Sequence, residues 1–284
     1  MKTLFALLST LVLLTGCIKN NPDPTWLKVN NWTLEENFDP ISDPGELTHN
    51  FSDAWVYIDN EFIGIFEVPF KIPVLYSGMR NIKIYPTILN NGISATKKIY
   101  PFCEVYEVNF ELTPNDTLEL NPVTRYYNQT NFWIEDFEGG NKLTDSPNSS
   151  AVLIKNNDPA IGQWGYYGEI QLDPTNFEWV STSEDMFLPN QGDEVYLEID
   201  YYNTENLVTG VLALSSTNVV ENPNVQLNKQ ELNEIKWKKI YCDLKDVVSG
   251  SVGAEYFKQS FESQLSDDNT SSFIILDNIK VVHF

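Results

Sequence analysis

The sequence predicts an all-β protein of two domains. Val, Ile, Tyr, Phe, Trp and Thr gather in short runs, and Asn, Asp, Gly and Pro separate those runs, which is the composition of strands and turns. Several runs alternate apolar and polar residues with a period of two, the spacing of a strand with one face buried. The length of 284 residues exceeds one small core, so two units of about 100 and 150 residues follow from ordinary domain sizes.

The chain starts with Lys2 and an apolar stretch over residues 4–14 that ends in Leu14-Thr15-Gly16-Cys17. A basic start, an apolar run too short to span a bilayer and small residues before a cut together read as a secretory signal. The four residues resemble the lipobox of bacterial lipoproteins. The resemblance implies a signal peptide over residues 1–16 and a diacylated Cys17 that begins the mature chain and anchors it to the outer membrane without a spanning helix. An ordinary secreted protein with an incidental Cys17 is the alternative. Ile18-Lys19-Asn20-Asn21 matches the surface-export pattern of Bacteroidota only in part, which leaves the periplasmic and cell-surface faces both open. Asp116-Thr117-Leu118 resembles the short O-glycosylation motif of the same bacteria.

Residues 17–30 are expected to form a lipidated tether, with the polar, proline-bearing character concentrated in residues 18–25 and the first domain beginning over residues 26–34. That domain covers residues 31–122. Two apolar, β-branched arms flank Asp59-Asn60, the chemistry of a tight hairpin. Further strands are expected at residues 71–75, 80–88, 97–112 and 117–126, with turns at Ser77-Gly78 and Asn90-Asn91-Gly92. Val56 to Asn60, Gly64, Gly78 and the run Asn81-Ile82-Lys83-Ile84 resemble PEGA-like and other small immunoglobulin-like modules, which are spacers or interaction platforms. Residues 91–102 have no counterpart in them and read either as a binding loop or as a connection.

The second domain, residues 131–284, opens with Asp136-Phe137-Glu138-Gly139, carries Trp164-Gly165-Tyr166-Tyr167-Gly168 at its centre and closes with Leu276-Asp277-Asn278-Ile279-Lys280. These runs resemble a jelly roll of the galactose-binding-like, carbohydrate-binding and MAM-type adhesion modules. The fold class is therefore all-β, a small β-sandwich followed by a jelly-roll β-sandwich. In such modules the first and last strands approach each other, and carboxylates there often hold calcium. The resemblance thus implies Asp136, Glu138 and Asp277 as ligands of a structural calcium, the alternative being turn-capping and solvated acids.

Counting alternate positions puts Tyr167, Glu169 and Gln171 on one strand face, with Trp164 and Tyr166 among the residues of the opposite face. Tyr196, Glu198, Asp200 and Tyr202 share a face of a second strand, and Trp237, Lys239 and Tyr241 a face of a third. Rings that stack on sugar C–H faces beside carboxylates, amides and Lys suit a glycan, whereas cross-strand pairing alone also places aromatics on a solvated sheet.

The chain has 40 Asp and Glu against 18 Lys and Arg, a net charge of -22, and no basic cluster, which speaks against nucleic-acid binding. Only His49 and His283 are present, and no nucleophile elbow, zinc-protease helix or phosphate loop occurs, so an enzyme is not expected. Cys103 and Cys242 fall one in each domain, open to a bridge but better suited to two buried thiols. The expected function is that of a non-catalytic envelope lipoprotein presenting a jelly roll to a glycan or other surface ligand. The alternatives are a structural or adhesion subunit of an envelope protein complex and, third, a glycoside hydrolase using paired acids.

Overall fold

A computed structural model describes residues 22–284, so the signal peptide and Cys17 lie outside the described residues. The described residues are 51% strand and 2% helix, which is the expected all-β class. The N-terminal unit contains β1 (Thr25–Val29), β2 (Thr33–Leu34), β3 (Asp53–Ile58), β4 (Glu61–Glu67), β5 (Phe70–Val74), β6 (Gly78–Leu89), β7 (Lys97–Ile99), β8 (Tyr106–Leu112), β9 (Thr117–Leu120) and β10 (Val123–Thr124). One sheet has the order β5-β1-β9 and another β4-β3-β6-β7, while β10 pairs with β2. β6 is long enough to carry β8 along its first half and β7 along its last three residues, on the side away from β3. Leu27 and Val29 of β1 meet Ala54, Val56 and Ile58 of β3 and Ile82 and Ile84 of β6 in one core, as period-two alternation requires. Asp59 and Asn60 both take positive φ, 50° and 64°, the conformation that joins two strands with their natural right-handed twist.

Three expectations about this unit change. β1 lies inside the stretch read as tether, because Leu27 and Val29 are fully buried between β5 and β9. The strand expected over residues 97–112 breaks after Ile99, where Pro101 can donate no ladder hydrogen bond and Tyr100 and Phe102 turn into the interior. Residues 117–126 divide at Asn121-Pro122 for the same reason.

The C-terminal unit contains β11 (Asn131–Glu135), β12 (Leu143–Asp145), β13 (Leu153–Asn156), β14 (Tyr167–Leu172), β15 (Glu178–Ser183), β16 (Val195–Asn203), β17 (Leu207–Leu214), β18 (Val219–Leu227), β19 (Lys238–Asp243), α1 (Lys245–Gly250), β20 (Tyr256–Gln264) and β21 (Ser272–His283). A six-stranded sheet, β13-β14-β21-β16-β19 with β11 also on β21, faces a five-stranded sheet, β12-β15-β20-β17-β18. Between them Ile170, Leu197, Ile199, Ile240, Ile274 and Leu276 pack on Val211, Trp179, Phe257 and Phe261. A bulge between Glu198 and Asp200 and the positive φ of Asn278 (47°) change the register against β21, yet Tyr196, Glu198, Asp200 and Tyr202 still point away from this core.

The outer face of the six-stranded sheet is where the two units meet. Tyr196, Tyr241 and Val282 belong to the N-terminal core, not to their own. The turn Asn90-Asn91-Gly92 clasps β19: the Asn91 N–H donates to Tyr241 O at 2.9 Å, the Asp243 N–H to Asn91 Oδ1 at 2.7 Å, and the Tyr196 hydroxyl to Asn90 Oδ1 at 2.9 Å. Residues 91–102 are therefore a joint, with Tyr100 packed on Tyr241 at 4.9 Å between ring centres.

Glu198 is wholly buried in this joint, and burial alone would raise its pKa. Lys239 at 2.9 Å, the nearby Lys280 and the hydroxyl of Tyr100 instead hold it below the usual carboxylate range. The Tyr126 hydroxyl also donates to Glu198, at 2.9 Å. Lys280, wholly buried, donates to Glu46 O at 2.6 Å, and burial together with the repulsion of Lys239 lowers its pKa to about 8. Removing one charge from such a cluster strands the others, so Lys239→Met is expected to cost about 3–5 kcal/mol. Calorimetry should show both units of the wild type melting in one transition that Lys239→Met moves as a whole; two independent transitions would contradict a shared joint.

Asp277, 1% exposed, lies on β21 at the edge of the joint. Its Oδ1 accepts the Asn278 N–H at 2.7 Å and its Oδ2 has no partner. Burial, opposed by that N–H and reinforced by the charges of Asp200, Asp136 and Glu138, raises its pKa to about 8. An unfolded Asp titrates near 3.9, so between about pH 4 and pH 8 the folded chain holds a proton that the unfolded chain has released, and stability falls as pH rises. Asp277→Asn should melt with the wild type at pH 4 and above it at pH 8; equal melting temperatures at pH 8 would show that Asp277 is not strained.

Candidate functional site

The ten residues expected on one polar-aromatic face do share the outer side of the six-stranded sheet, but they divide between two environments. Tyr196, Glu198, Asp200, Lys239 and Tyr241 lie at the joint, all under 8% exposed, with their polar atoms engaged by the N-terminal unit or by one another. Thr48 donates to Asp200 Oδ2 at 2.5 Å and accepts from Lys239 Nζ at 2.9 Å, and that ammonium is ion-paired with Glu198 at 2.9 Å and, at the longer distance of 3.7 Å, with Asp200. These five side chains build the joint and are not free to meet a ligand. Tyr167 is also wholly buried, its ring lying against Gly162 of the preceding loop. Alternation alone could not separate the two environments, because the covering residues are remote in sequence, Tyr126 standing 72 residues before Glu198 and Thr48 152 before Asp200.

Glu169, Gln171, Tyr202 and Trp237 remain on the open half of the sheet. Two rings join them that period-two counting had not placed there. Trp164 precedes β14 and sits in the loop, where it meets Trp237 edge to face at 5.4 Å; the expectation that it shared the core-facing side of a strand with Ile170 and Leu172 is corrected by the start of β14 at Tyr167. Phe273 of β21 stacks on Tyr202 at 5.7 Å and 19°. Trp164, Trp237, Tyr202 and Phe273 thus form a continuous aromatic row, with Trp237 and Tyr202 6.0 Å apart in its middle. All four are partly exposed. The Trp237 indole N–H donates to Ile161 O at 2.8 Å, which fixes the ring at the surface.

Hollows lie at both ends of this row. The larger, about 810 Å³, is bounded on one side by Thr48, His49 and Asn50 and by Leu89 and Gly92 of the N-terminal unit, and on the other by Trp164 and residues 236–241. The second, about 660 Å³, is lined by Glu169, Gln171, Phe273, residues 229–233, Asp268, Asn269, Ser271 and Ser272. Both fall within the size of small-molecule sites, roughly 300–1,000 Å³. His49 packs on Phe51 at 5.0 Å, and burial, then the charge of Lys239, lowers its pKa, so the ring is neutral near pH 7. Polar groups follow the rings. The Asn156 side-chain amide donates to Glu169 Oε2 and that of Gln171 to Glu169 Oε1, both at 2.7 Å, placing a carboxylate and two amides on β13 and β14, where Gln171 pairs with Phe273.

The three acids expected to hold calcium, Asp136, Glu138 and Asp277, each accept a backbone N–H. Among the described residues no three His, Cys, Asp or Glu side chains are arranged to hold an ion. The Glu138 carboxylate accepts the Tyr166 N–H at 2.7 Å, Asp136 accepts the Glu138 N–H at 3.1 Å, and Asp277 accepts its own neighbour's N–H. Asp136 and Asp277 thus cap neighbouring backbone, as short acidic side chains do in turns, while Glu138 holds the Tyr166 loop from 28 residues away. Glu135 takes a similar role, with one oxygen on the Phe137 N–H at 2.8 Å and the other on the Lys142 N–H.

No family model matches the chain, and no curated protein sequence does. Among solved structures, the xylan-binding CBM22-2 domain from Paenibacillus barcinonensis Xyn10C is 15% identical, with 54% of this chain and 99% of that one covered and a TM-score of 0.39. A carbohydrate-binding module from the β-sandwich superfamily is 11% identical over 81% of this chain and 84% of its own, also at 0.39. The enzymatically active domain of bacteriophage CBA120 tailspike protein 4 is 12% identical over 49% of this chain and 18% of its own, at 0.36.

Proposed function

We propose that this protein is a non-catalytic envelope lipoprotein, anchored to the outer membrane through Cys17, whose C-terminal jelly roll binds a glycan on the open half of its six-stranded sheet. The row Trp164, Trp237, Tyr202 and Phe273 is the observation that carries the reading. Sugar rings present apolar C–H faces to aromatics and hydroxyls to polar edges, and this row has Glu169 and Gln171 along one flank and a hollow at each end. The N-terminal unit packs on the jelly roll through buried rings and ions and not through a linker alone.

Trp237→Ala removes the central ring of the row. A stacked ring contributes about 0.5–1.5 kcal/mol beyond its burial, so binding on a glycan array should weaken about tenfold or more while the melting temperature changes little. A wild-type protein that binds no saccharide on a broad array would overturn the glycan reading. The anchor has its own check. Cys17→Ser should move the protein from the membrane pellet to the soluble fraction and abolish labelling by palmitate, and a variant that still sediments with membranes would overturn the lipid anchor.

A further inference from the structure

The distribution of charge along the aromatic row carries an inference about what sits at its closed end, and it rests on the glycan reading above. At that end the sheet face runs under the N-terminal unit, where Glu198 and Tyr241 are buried, so an elongated ligand cannot continue past Thr48, His49 and Asn50. Three lysines, Lys236, Lys238 and Lys239, line this hollow against a single acid, Asp200. Asp200 is already matched by Lys239 at 3.7 Å and by Thr48. Lys236 and Lys238 are exposed, and among the described residues neither is in an ion pair. Two cations without an ion-pair partner around one hollow are unusual in a chain of net charge -22.

The far end has the opposite sign. Glu169, Asp173, Glu231 and Asp268 line the second hollow with only Lys229, and Lys229 is paired with Asp268 at 3.3 Å. A chain with an acidic group on every sugar would be attracted at one end and repelled at the other. Charges act over about 8–10 Å at ordinary salt, shorter than the row of four rings, so the two ends are felt separately.

The geometry points to a ligand of one orientation and one charge: a glycan whose terminal sugar bears a carboxylate, seated in the blind hollow against Lys236 and Lys238 with its ring on Trp164 and Trp237, and whose following neutral sugars pass Tyr202 and Phe273 towards the acidic end. The ammonium groups supply a pair of point charges to a carboxylate, and the blind wall makes the terminus, not the chain interior, the recognised unit.

The test uses the wild-type protein and Lys236→Gln/Lys238→Gln, each checked for an unchanged melting temperature. Both are titrated against oligosaccharides capped with glucuronic or galacturonic acid, the same oligosaccharides after reduction of the carboxyl group to an alcohol, and a polyuronate. The wild type is expected to prefer the acid-capped form over its reduced counterpart by about tenfold, the double variant to lose that preference while keeping its affinity for the reduced form, and the polyuronate to bind more weakly than the acid-capped oligomer. Equal affinity for capped and reduced forms would overturn the inference and leave the glycan reading standing. Polyuronate binding as tight as the capped oligomer would overturn terminal recognition. Failure to bind any of these saccharides, or any on a broad array, would remove both the inference and the reading beneath it.

Discussion

The burial of Glu198 sets the arrangement of the whole molecule. A carboxylate taken fully out of water must be answered by charges and donors from every side, and here they come from both units: Lys239 and Lys280 from the jelly roll, Tyr100 and Tyr126 from the N-terminal sandwich. Neither unit alone can satisfy it. The rings of Phe51, Tyr100 and Tyr241 close over the cluster, and the Asn90-Asn91-Gly92 clasp fixes the edge. Half of a sheet face that would otherwise meet solvent becomes interior, and the remaining half acquires a wall.

That division explains which parts of the site could be read from the chain. Alternation placed Tyr196, Glu198, Asp200 and Tyr202 on one side of β16 and Trp237, Lys239 and Tyr241 on one side of a neighbouring strand; Lys239 and Tyr241 lie in β19, and Trp237 stands just before it against Tyr202. Alternation reports a side, not what lies against it. The covering residues, Thr48 to Phe51 and Leu89 to Phe102, are remote in sequence, and nothing in their composition announces a partner. The aromatic row was legible in part for the same reason. Tyr202 and Trp237 follow from period two, but Trp164 stands in a loop and Phe273 opens a strand whose register is altered by an irregularity at Asn278.

Turns were the most readable elements, because their chemistry is local. Asp59-Asn60 and Asn91-Gly92 carry the positive φ values that such residues tolerate. Strand ends were less so. Leu27 and Val29 stand in a stretch that polar neighbours and prolines make look like a tether, and only their pairing with β5 and β9 makes them core. The acids at residues 136, 138 and 277 show that residue type does not name a partner: each accepts a backbone N–H, and the one on Glu138 comes from Tyr166, 28 residues along the chain.

The two cysteines of the described chain are free and buried, one in each hydrophobic cluster. Burial raises the Cys242 thiol to about 12 and raises Cys103 well above the ordinary thiol range. Thiol–disulfide exchange proceeds through the thiolate, so both sulfurs are chemically silent once the chain has folded. The fold itself thus keeps Cys103 and Cys242 out of oxidative traffic, so that in an oxidising medium neither is drawn into a cross-link while the chain stays folded.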